Sequence, residues 1–264
     1  MKQLKKCKIR TEDGKLKDIY YFTNPKPFNP LGVFDSQTLE DVFNFAYDMS
    51  FGGKGAHRNR RSGGTHERKN GEIFADTYQG KLAEFAIYDY FTKHGVSMKL
   101  PDLSTHQLGV WDSFDFEIRG KKIAVKSTKA FGQLLLLEKK DWNNRGEYIP
   151  NLGSGNADYD AFILVRINSS VVSLMKQNKL YYSDKAERDK LKNIIVTQEL
   201  SYDIPGFITR STLITLIRRN FFIPQGALLN SEKTVMDADN YYIQTGDMSD
   251  IIRLVNCLKS KKVI

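Results

Sequence analysis

Residues 111–129 read WDSFDFEIRGKKIAVKSTK, and they decide how the fold of this chain is interpreted. Apolar and polar side chains alternate over residues 114–118 and again over residues 123–128, with a glycine between the two runs. Alternation with a period of two is typical of half-buried strands, and glycine favours a tight turn. The stretch therefore predicts a two-stranded hairpin that carries Asp115 on its first strand and Lys126 on its second.

The alternation also predicts which side chains share a face of the hairpin. Ala124 and Lys126 point to one side of the second strand, while Ile123 and Val125 point to the other. A tight hairpin can bring Asp115 beside position 124. Carboxylates at both positions would hold a hard divalent ion such as Mg2+, and the lysine would orient water or stabilise transition-state charge. The alternative is an acid-and-lysine hairpin on a solvated sheet edge, without catalytic meaning.

The bulk composition favours a folded domain with a polyanionic partner. The chain has 264 residues, of which 41% are hydrophobic and 12% aromatic, enough to bury a substantial core in one domain. It carries 40 lysines and arginines against 31 acidic residues, a formal net charge of +9. Because bound cations release the counterions of a phosphate backbone, this balance favours nucleic acid as the partner.

Several features argue against a membrane or secreted protein. The longest apolar run, residues 161–165, has five residues, far below the ~18 that suggest a membrane-spanning helix. The basic N-terminus lacks the apolar segment of a secretory signal. Cys7 and Cys257 stand near opposite ends without metal-ligand spacing, so we expect two reduced thiols in a cytoplasmic protein.

Outward from the hairpin, hydrophobic periodicity predicts both helices and strands. Residues 79–93 have apolar side chains at helical spacing, with Glu84 on the flank of the apolar face. Ser36 is a suitable N-cap for the helix that follows it. Further strands are predicted over residues 16–22, 133–137 and 161–167, and further helices within 176–192, from Thr209 or Ser211, and over 248–258. The pattern predicts an α/β (α+β) fold with a mixed β-sheet flanked by helices.

The composition predicts a single domain, residues 1–264, with three parts. An N-terminal arm with a basic loop spans residues 1–75, a core spans 76–170, and a C-terminal helical elaboration spans 171–264. The basic part of the loop reads HRNRRSGGTHERK over residues 57–69 and contains Arg58, Arg60, Arg61, Arg68 and Lys69. Glycines allow close approach to a phosphate chain, and arginines grip phosphates or guanine edges. The loop therefore predicts a contact with DNA, with a solvated loop as the alternative.

The order of these features resembles type II restriction endonucleases of the PD-(D/E)XK nuclease superfamily. Members of that family carry an acid on one strand and a D/E-x-K tripeptide on the next, and here the tripeptide is Ala124-Val125-Lys126 within KSTKAFGQLLLLEKKDW. A helix with Glu84 precedes it, and the resemblance covers roughly residues 79–167. It implies a mixed-sheet nuclease core, Mg2+ as cofactor, double-stranded DNA as substrate and a homodimer.

The resemblance also implies a role for each matching residue. Asp115 would be the first metal-binding acid, Lys126 the catalytic lysine and Glu84 the helix acid that supports the site. Three more residues are implied as neighbours of the site or as nucleic-acid contacts: Gln133, Ser127 and Lys129.

The sequence departs from the family pattern at Ala124, where an aspartate or glutamate is expected as the second metal ligand. Of three explanations we favour the first, that an acid was deliberately replaced so that the protein holds DNA without cutting it. The second is that the carboxylate has moved to Glu138 or Glu117, and the third is a natural pseudo-nuclease. We expect weak metal binding and little or no cleavage. A non-cleaving sequence-specific DNA-binding protein and a repair or junction-resolving nuclease are the functional alternatives.

Overall fold

The fold is a mixed α/β (α+β) architecture, as the sequence predicts. A computed structural model of the protein describes residues 1–12, 14–54, 67–104, 114–231 and 234–260. The helices are α1 (Ser36–Met49), α2 (Asn70–Lys93), α3 (Val171–Gln177), α4 (Arg188–Ile195), α5 (Arg210–Arg218) and α6 (Ile251–Ser260). The strands are β1 (Lys5–Arg10), β2 (Leu16–Tyr21), β3 (Gly32–Val33), β4 (Phe116–Ile118), β5 (Lys121–Lys129), β6 (Leu134–Glu138), β7 (Ala161–Asn168), β8 (Ser201–Thr209), β9 (Phe222–Ile223), β10 (Leu228–Leu229) and β11 (Asn240–Gln244). Among the residues described, no helix has the length and apolar character needed to cross a membrane.

A five-stranded sheet forms the centre of the fold, in the order β3-β8-β7-β5-β4. β5 and β7 run parallel, with Ile123 opposite Ala161 and Lys129 opposite Ile167, whereas the other pairings in this sheet are antiparallel. Parallel neighbours need a long connection, which residues 130–160 provide here. The β4–β5 hairpin therefore lies at one edge of the sheet, with β7 on its inner side.

Two apolar clusters cover the two faces of this sheet. One contains Phe116, Ile118 and Ile123 of the hairpin, together with side chains from α1, α2 and α6. The other contains Ala124, together with side chains from β6, β11 and α5. Because apolar burial is the main stabilising contribution to folding, the two clusters fix which way each β5 side chain points. Ala124 and Lys126 share the face opposite to that of Ile123, as the alternation predicts.

The strand that follows β5 in sequence lies in a different sheet. β6 pairs antiparallel with β11, which also pairs with β9, so the second sheet has the order β6-β11-β9. Its register sets Leu135 opposite Ile243 and Leu137 opposite Tyr241. Since β5 takes β7 as its neighbour, the chain leaves the central sheet at the end of β5. The second sheet then covers the Ala124 face.

β8 is a central strand that the sequence patterns do not predict, because it contains Pro205 and Gly206. Proline has no N–H to donate to a ladder, and glycine weakens strand interiors. Gly206 lies opposite Leu164, and the register between β7 and β8 shifts between Leu164 and Arg166. A Cβ atom at Gly206 would stand 2.5 Å from the carbonyl oxygen of Ser249. Glycine is therefore required here because the chain before α6 packs directly on the strand.

α2 begins at Asn70, earlier than residue 79, where the helical pattern starts in the sequence. The first turn contains Gly71, and a Cβ atom there would lie 2.0 Å from the Leu180 carbonyl oxygen. Glu72 is buried, and its carboxylate accepts a hydrogen bond from the Lys69 N–H at 3.0 Å. The close contact of Gly71 with Leu180 and the hydrogen bond between Lys69 and Glu72 therefore allow the helix to start at Asn70. Its first turn lies in a stretch that the composition assigns to a loop.

The N-cap of α1 is Asp35, so the expectation for Ser36 was wrong by one residue. The Asp35 carboxylate accepts hydrogen bonds from the Thr38 N–H at 2.7 Å and from the Thr38 hydroxyl at 3.1 Å. The bond from the Thr38 N–H is the main cause of a lowered pKa for Asp35. Ser36 is instead the first residue of the helix.

Replacing this cap is expected to weaken the fold measurably. Asp35→Ala should lower the free energy of unfolding by about 1 kcal/mol, because a helical N–H loses its acceptor. The folded-state pKa of Asp35 lies below its unfolded value, so this stabilisation is present above the unfolded pKa and lost as the pH falls through the folded pKa. Urea unfolding at several pH values measures both effects. Ser36→Ala is the matched control, and equal stability of Asp35→Ala and wild type at neutral pH would contradict the assignment.

Candidate active site and nucleic-acid interface

The hairpin at the edge of the central sheet is present, but its first strand is shorter than predicted. β4 spans only Phe116–Ile118, and its first residue pairs with Ile123. Arg119 and Gly120 have positive φ values of 51° and 73°, which matches the two-residue turns that suit twisted hairpins. Asp115 therefore lies immediately before the strand. Residues 111–113 of the quoted stretch fall outside the described residues.

Asp115 is bound to the neighbouring strand through its side chain. Its Oδ2 atom accepts a hydrogen bond from the Val125 N–H at 2.6 Å. In a continued antiparallel ladder a backbone carbonyl would accept from this N–H, and here the carboxylate takes that place. The bond holds the Asp115 carboxylate beside position 124, while Asp115 itself is exposed. The residue therefore anchors the edge of β5 and brings a negative charge next to Ala124.

Ala124 occupies a closed and apolar position. It is 3% exposed and belongs to the cluster that also contains Trp142, Tyr159 and Phe162. Phe162 stands directly opposite it in the parallel pairing of β5 with β7. Burial, together with the negative charge of Asp115, raises the pKa of Tyr159. Tyr159 is thus a neutral hydroxyl group near the site, and no local sequence pattern points to it because it comes close only through the sheet.

Lys126 follows two residues after Ala124 on the same face of β5, and it is exposed. Its partner in the parallel pairing, Leu164, is buried at 1%. In the described part of the chain, β4 pairs with β5 only as far as Ile123, so the strand edge beyond that point has no paired strand. The exposed Asp115 and Lys126 therefore lie on either side of the buried position 124.

The residues present do not fit a magnesium site. Mg2+ is bound through oxygen atoms, usually with one or two carboxylates. Across the described ranges, no group of three or more His, Cys, Asp or Glu side chains is arranged to hold a metal ion. One oxygen of Asp115 is engaged by the Val125 N–H, and Ala124 contributes a methyl group. Among the described residues, position 124 therefore does not supply the second acid that the resemblance implies.

Glu84 belongs to α2, which packs on the face of the sheet opposite Ala124. Its Oε2 atom accepts a hydrogen bond from Lys81 Nζ at 2.7 Å, and both side chains are largely buried. The Lys81 ammonium also lies 5.0 Å from the ring centroid of Phe45 on α1. These contacts tie Glu84 to the interface between the two helices. Its role as a supporting acid stays a prediction.

Two of the implied nucleic-acid contacts lie further along β5. Ser127 is half-buried, and its Oγ atom accepts a hydrogen bond from Gln79 Nε2 of α2 at 3.3 Å. Lys129, the last residue of the strand, is exposed. The lysine is therefore available to a phosphate at the surface, whereas the serine also links the strand to its covering helix.

The predicted basic loop is described only in part. Three of its arginines lie outside the described residues: Arg58, Arg60 and Arg61. Arg68 is largely buried and pairs with Asp76 of α2 at 3.0 Å. Lys69 is half-exposed and pairs with Asp184 at 2.7 Å. Of the two described cations, Lys69 is the better placed to reach a phosphate, because its ammonium lies at the surface.

Gln133 joins three segments of the chain. Its Oε1 atom accepts hydrogen bonds from the Lys26 N–H at 3.0 Å and from the Thr245 hydroxyl at 2.6 Å. Its backbone carbonyl accepts from the Thr245 N–H at 2.9 Å. These bonds give Gln133 a structural role at the start of β6, where the N-terminal loop and the end of β11 meet.

The two acids considered as substitutes for position 124 are placed differently. Glu117 is exposed on β4. Glu138 ends β6 in the second sheet, and its Oε1 atom lies 3.3 Å from the Lys140 ammonium. Burial raises the pKa of Glu138, and the negative charges of Asp141 and Asp237 act in the same direction. Glu138 also lines a cleft of about 540 Å³ beside the second sheet.

Comparison of the chain with protein-family models, with curated proteins and with solved structures found no match. The resemblance to PD-(D/E)XK nucleases therefore rests on the sequence motif of the hairpin alone.

Proposed function

We propose that this chain is a site-specific double-stranded DNA endonuclease of the type II restriction class, in which Ala124 suppresses cleavage. One observation carries the proposal. The carboxylate of Asp115 is held beside position 124 by the Val125 N–H. Lys126 lies two residues after Ala124 on the same face of β5, and its side chain is exposed. An acid, a second acid position and a lysine in this order can perform metal-assisted hydrolysis of a phosphodiester once both acids are present.

The charge of the protein supports DNA as the substrate. The net charge is +9, and Lys126 and Lys129 are exposed on the strand that carries the candidate site. Each lysine that neutralises a phosphate releases a condensed counterion, so binding should weaken steeply with salt. Because each active site cuts one strand, cleavage of a duplex at a symmetric site also implies a homodimer. We place the protein in the cytoplasm, where two cysteines without disulfide spacing stay reduced.

A second candidate function is a sequence-specific DNA-binding protein that does not cut. The packing of Ala124 favours it, since the methyl group is 3% exposed among aromatic side chains. A carboxylate at this position would lose water on folding and would need a metal ion or a hydrogen bond in compensation. The alanine is therefore well suited to a protein that only binds.

The two functions are separated by binding and digestion assays on the same preparations. The unchanged chain should shift duplex DNA in a gel, and Ala124→Asp with Mg2+ should cut a long duplex into discrete fragments. Binding without any cleavage by the acid variants would support the DNA-binding protein instead. A preference for branched DNA would indicate a junction-resolving nuclease, and no binding to any DNA would reject both functions.

A further inference from the structure

The turn between β5 and β6 presents an aromatic ring to solvent. Phe131 is 75% exposed, which is the largest exposed fraction among the large hydrophobic side chains of the described residues. It stands in the middle of residues 130–132, directly after the strand that carries Lys126 and Lys129. A phenylalanine usually contributes to a core, so its exposure beside the candidate site needs a physical reason.

The backbone of this turn is held in place on both sides. The Gly132 N–H donates to the Lys129 carbonyl at 2.8 Å, which closes the turn. A Cβ atom at Gly132 would lie 2.4 Å from Thr128 Oγ1, so the close approach requires glycine. The two flanking strands belong to two different sheets, and both are fixed by the apolar clusters. Phe131 is therefore presented by a rigid turn.

A lysine lies beside the ring. The Lys129 ammonium lies 5.8 Å from the centroid of the Phe131 ring, and Lys129 is exposed, as is Lys126 three residues earlier on the same strand. An exposed aromatic ring beside an exposed lysine suits a ligand with flat bases and negative phosphates.

We propose that Phe131 inserts between two stacked base pairs of bound duplex DNA and stacks on an opened base face, while Lys129 contacts an adjacent phosphate. The inference relies on the proposed function for DNA as the partner, and it adds a base-contacting residue outside the catalytic hairpin. Insertion first unstacks one base step, and the new contact with the ring offsets that cost. The ring accepts every base, because each base has a flat π-face. Phe131 therefore strengthens binding and holds the strand in place, and it makes no hydrogen bond to a base edge.

The test compares single variants of the full chain in metal-free binding assays with a fluorescently labelled duplex. Phe131→Ala should weaken binding about ten-fold, which lies in the lower half of the range for the loss of one base–aromatic stack. Phe131→Trp should retain wild-type affinity, since indole stacks at least as well. Tyr182→Ala is the matched control, because Tyr182 is 63% exposed and lies 5.6 Å from the Lys176 ammonium in the loop between α3 and α4.

A second readout reports the stacking itself. A 2-aminopurine base scanned along the duplex should change its fluorescence at one position with wild type and with Phe131→Trp, and not with Phe131→Ala, because 2-aminopurine responds to the opening of its base stack. Equal affinity and an equal fluorescence change for Phe131→Ala and wild type would overturn the inference while the proposed function stands. A changed oligomeric state with unchanged DNA affinity would also overturn it and assign the ring to a contact between copies. Failure of wild type to bind any DNA would reject the proposed function and the inference together.

Discussion

Replacing Ala124 with aspartate or glutamate is expected to raise Mg2+-dependent cleavage of duplex DNA by orders of magnitude. The new carboxylate would stand on the Lys126 face of β5, beside the Asp115 carboxylate that the Val125 N–H holds in place. Two carboxylates would supply the oxygen ligands that Mg2+ prefers, and the ion would then polarise the phosphodiester and lower the pKa of an attacking water. Digestion of a long duplex, followed by sequencing of the ends, measures the gain and identifies the cut site.

Matched variants separate charge from shape at this site. Ala124→Asn has the size of the aspartate variant without its charge, and it should stay inactive. In the Ala124→Asp background, Asp115→Asn retains an oxygen acceptor for the Val125 N–H, yet it should abolish the restored cleavage. Lys126→Ala should also reduce it strongly. If neither acid at position 124 gives any cleavage, an alanine in the place of a catalytic acid is the wrong explanation.

The same substitution should have a signature in stability. Position 124 is 3% exposed, so an uncompensated carboxylate there loses hydration and lowers the free energy of unfolding by about 3–5 kcal/mol without metal. Mg2+ that binds only the folded state should recover part of this loss. Thermal unfolding of Ala124→Asp with and without Mg2+ measures the recovery. Ala124→Asn should show no such response, and an equal response of both variants would argue against a metal site.

Asp203→Ala is expected to lower the free energy of unfolding by about 3–5 kcal/mol, because it leaves a buried guanidinium without its partner. Arg166 on β7 is 0% exposed and Asp203 on β8 is 3% exposed. Their side chains form two hydrogen bonds, of 2.8 Å from Arg166 Nε and 2.5 Å from Arg166 Nη2. The guanidinium also donates to the carbonyl oxygens of Lys26 and Pro27, at 2.9 Å and 2.7 Å. The pair therefore joins two central strands to the N-terminal loop.

Urea unfolding of the single and double variants checks this expectation. Replacing both partners, as in Arg166→Met with Asp203→Leu, should give a protein more stable than Asp203→Ala alone, since no buried charge is left unpaired. Lys54→Ala serves as the control, because it removes an ion pair with Asp48 in which the lysine is 62% exposed. That change should cost less than ~1 kcal/mol. A similar small cost for Asp203→Ala would show that the buried pair contributes little.

Local patterns were sufficient for the elements whose signals lie within a few residues. The alternation in β5 and the apolar run of β7 predicted both strands, and the apolar stripe of α2 predicted that helix. These elements form as predicted because each strand or helix buries the face on which its own sequence places the apolar side chains. The cap of α1 was placed one residue too late, since Asp35 and Ser36 are both suitable caps and only geometry selects between them.

Other elements depend on partners far away in the sequence. β8 carries a proline and a glycine, and it is a strand because β7 lies on one side and β3 on the other. β6 was predicted as a strand, but its pairing with β11 in a second sheet has no local signal. The Arg166–Asp203 pair joins residues of two strands whose adjacency follows from the sheet order. Which strands pair depends on residues far apart in the sequence, and several pairings can compete. The periodicity within one strand therefore does not predict its partner.

At the candidate site Asp115 lies just before β4 rather than on it, but the sequence alone correctly predicts that Ala124 and Lys126 share one face of β5. Strand periodicity suffices for this, because side chains alternate strictly along a strand. The tertiary structure adds three features. The Val125 N–H donates a hydrogen bond to Asp115, and Phe162 of the parallel strand β7 lies opposite Ala124. The chain also makes a tight turn at Phe131. Each of these depends on which strands become neighbours and on where the ladder ends.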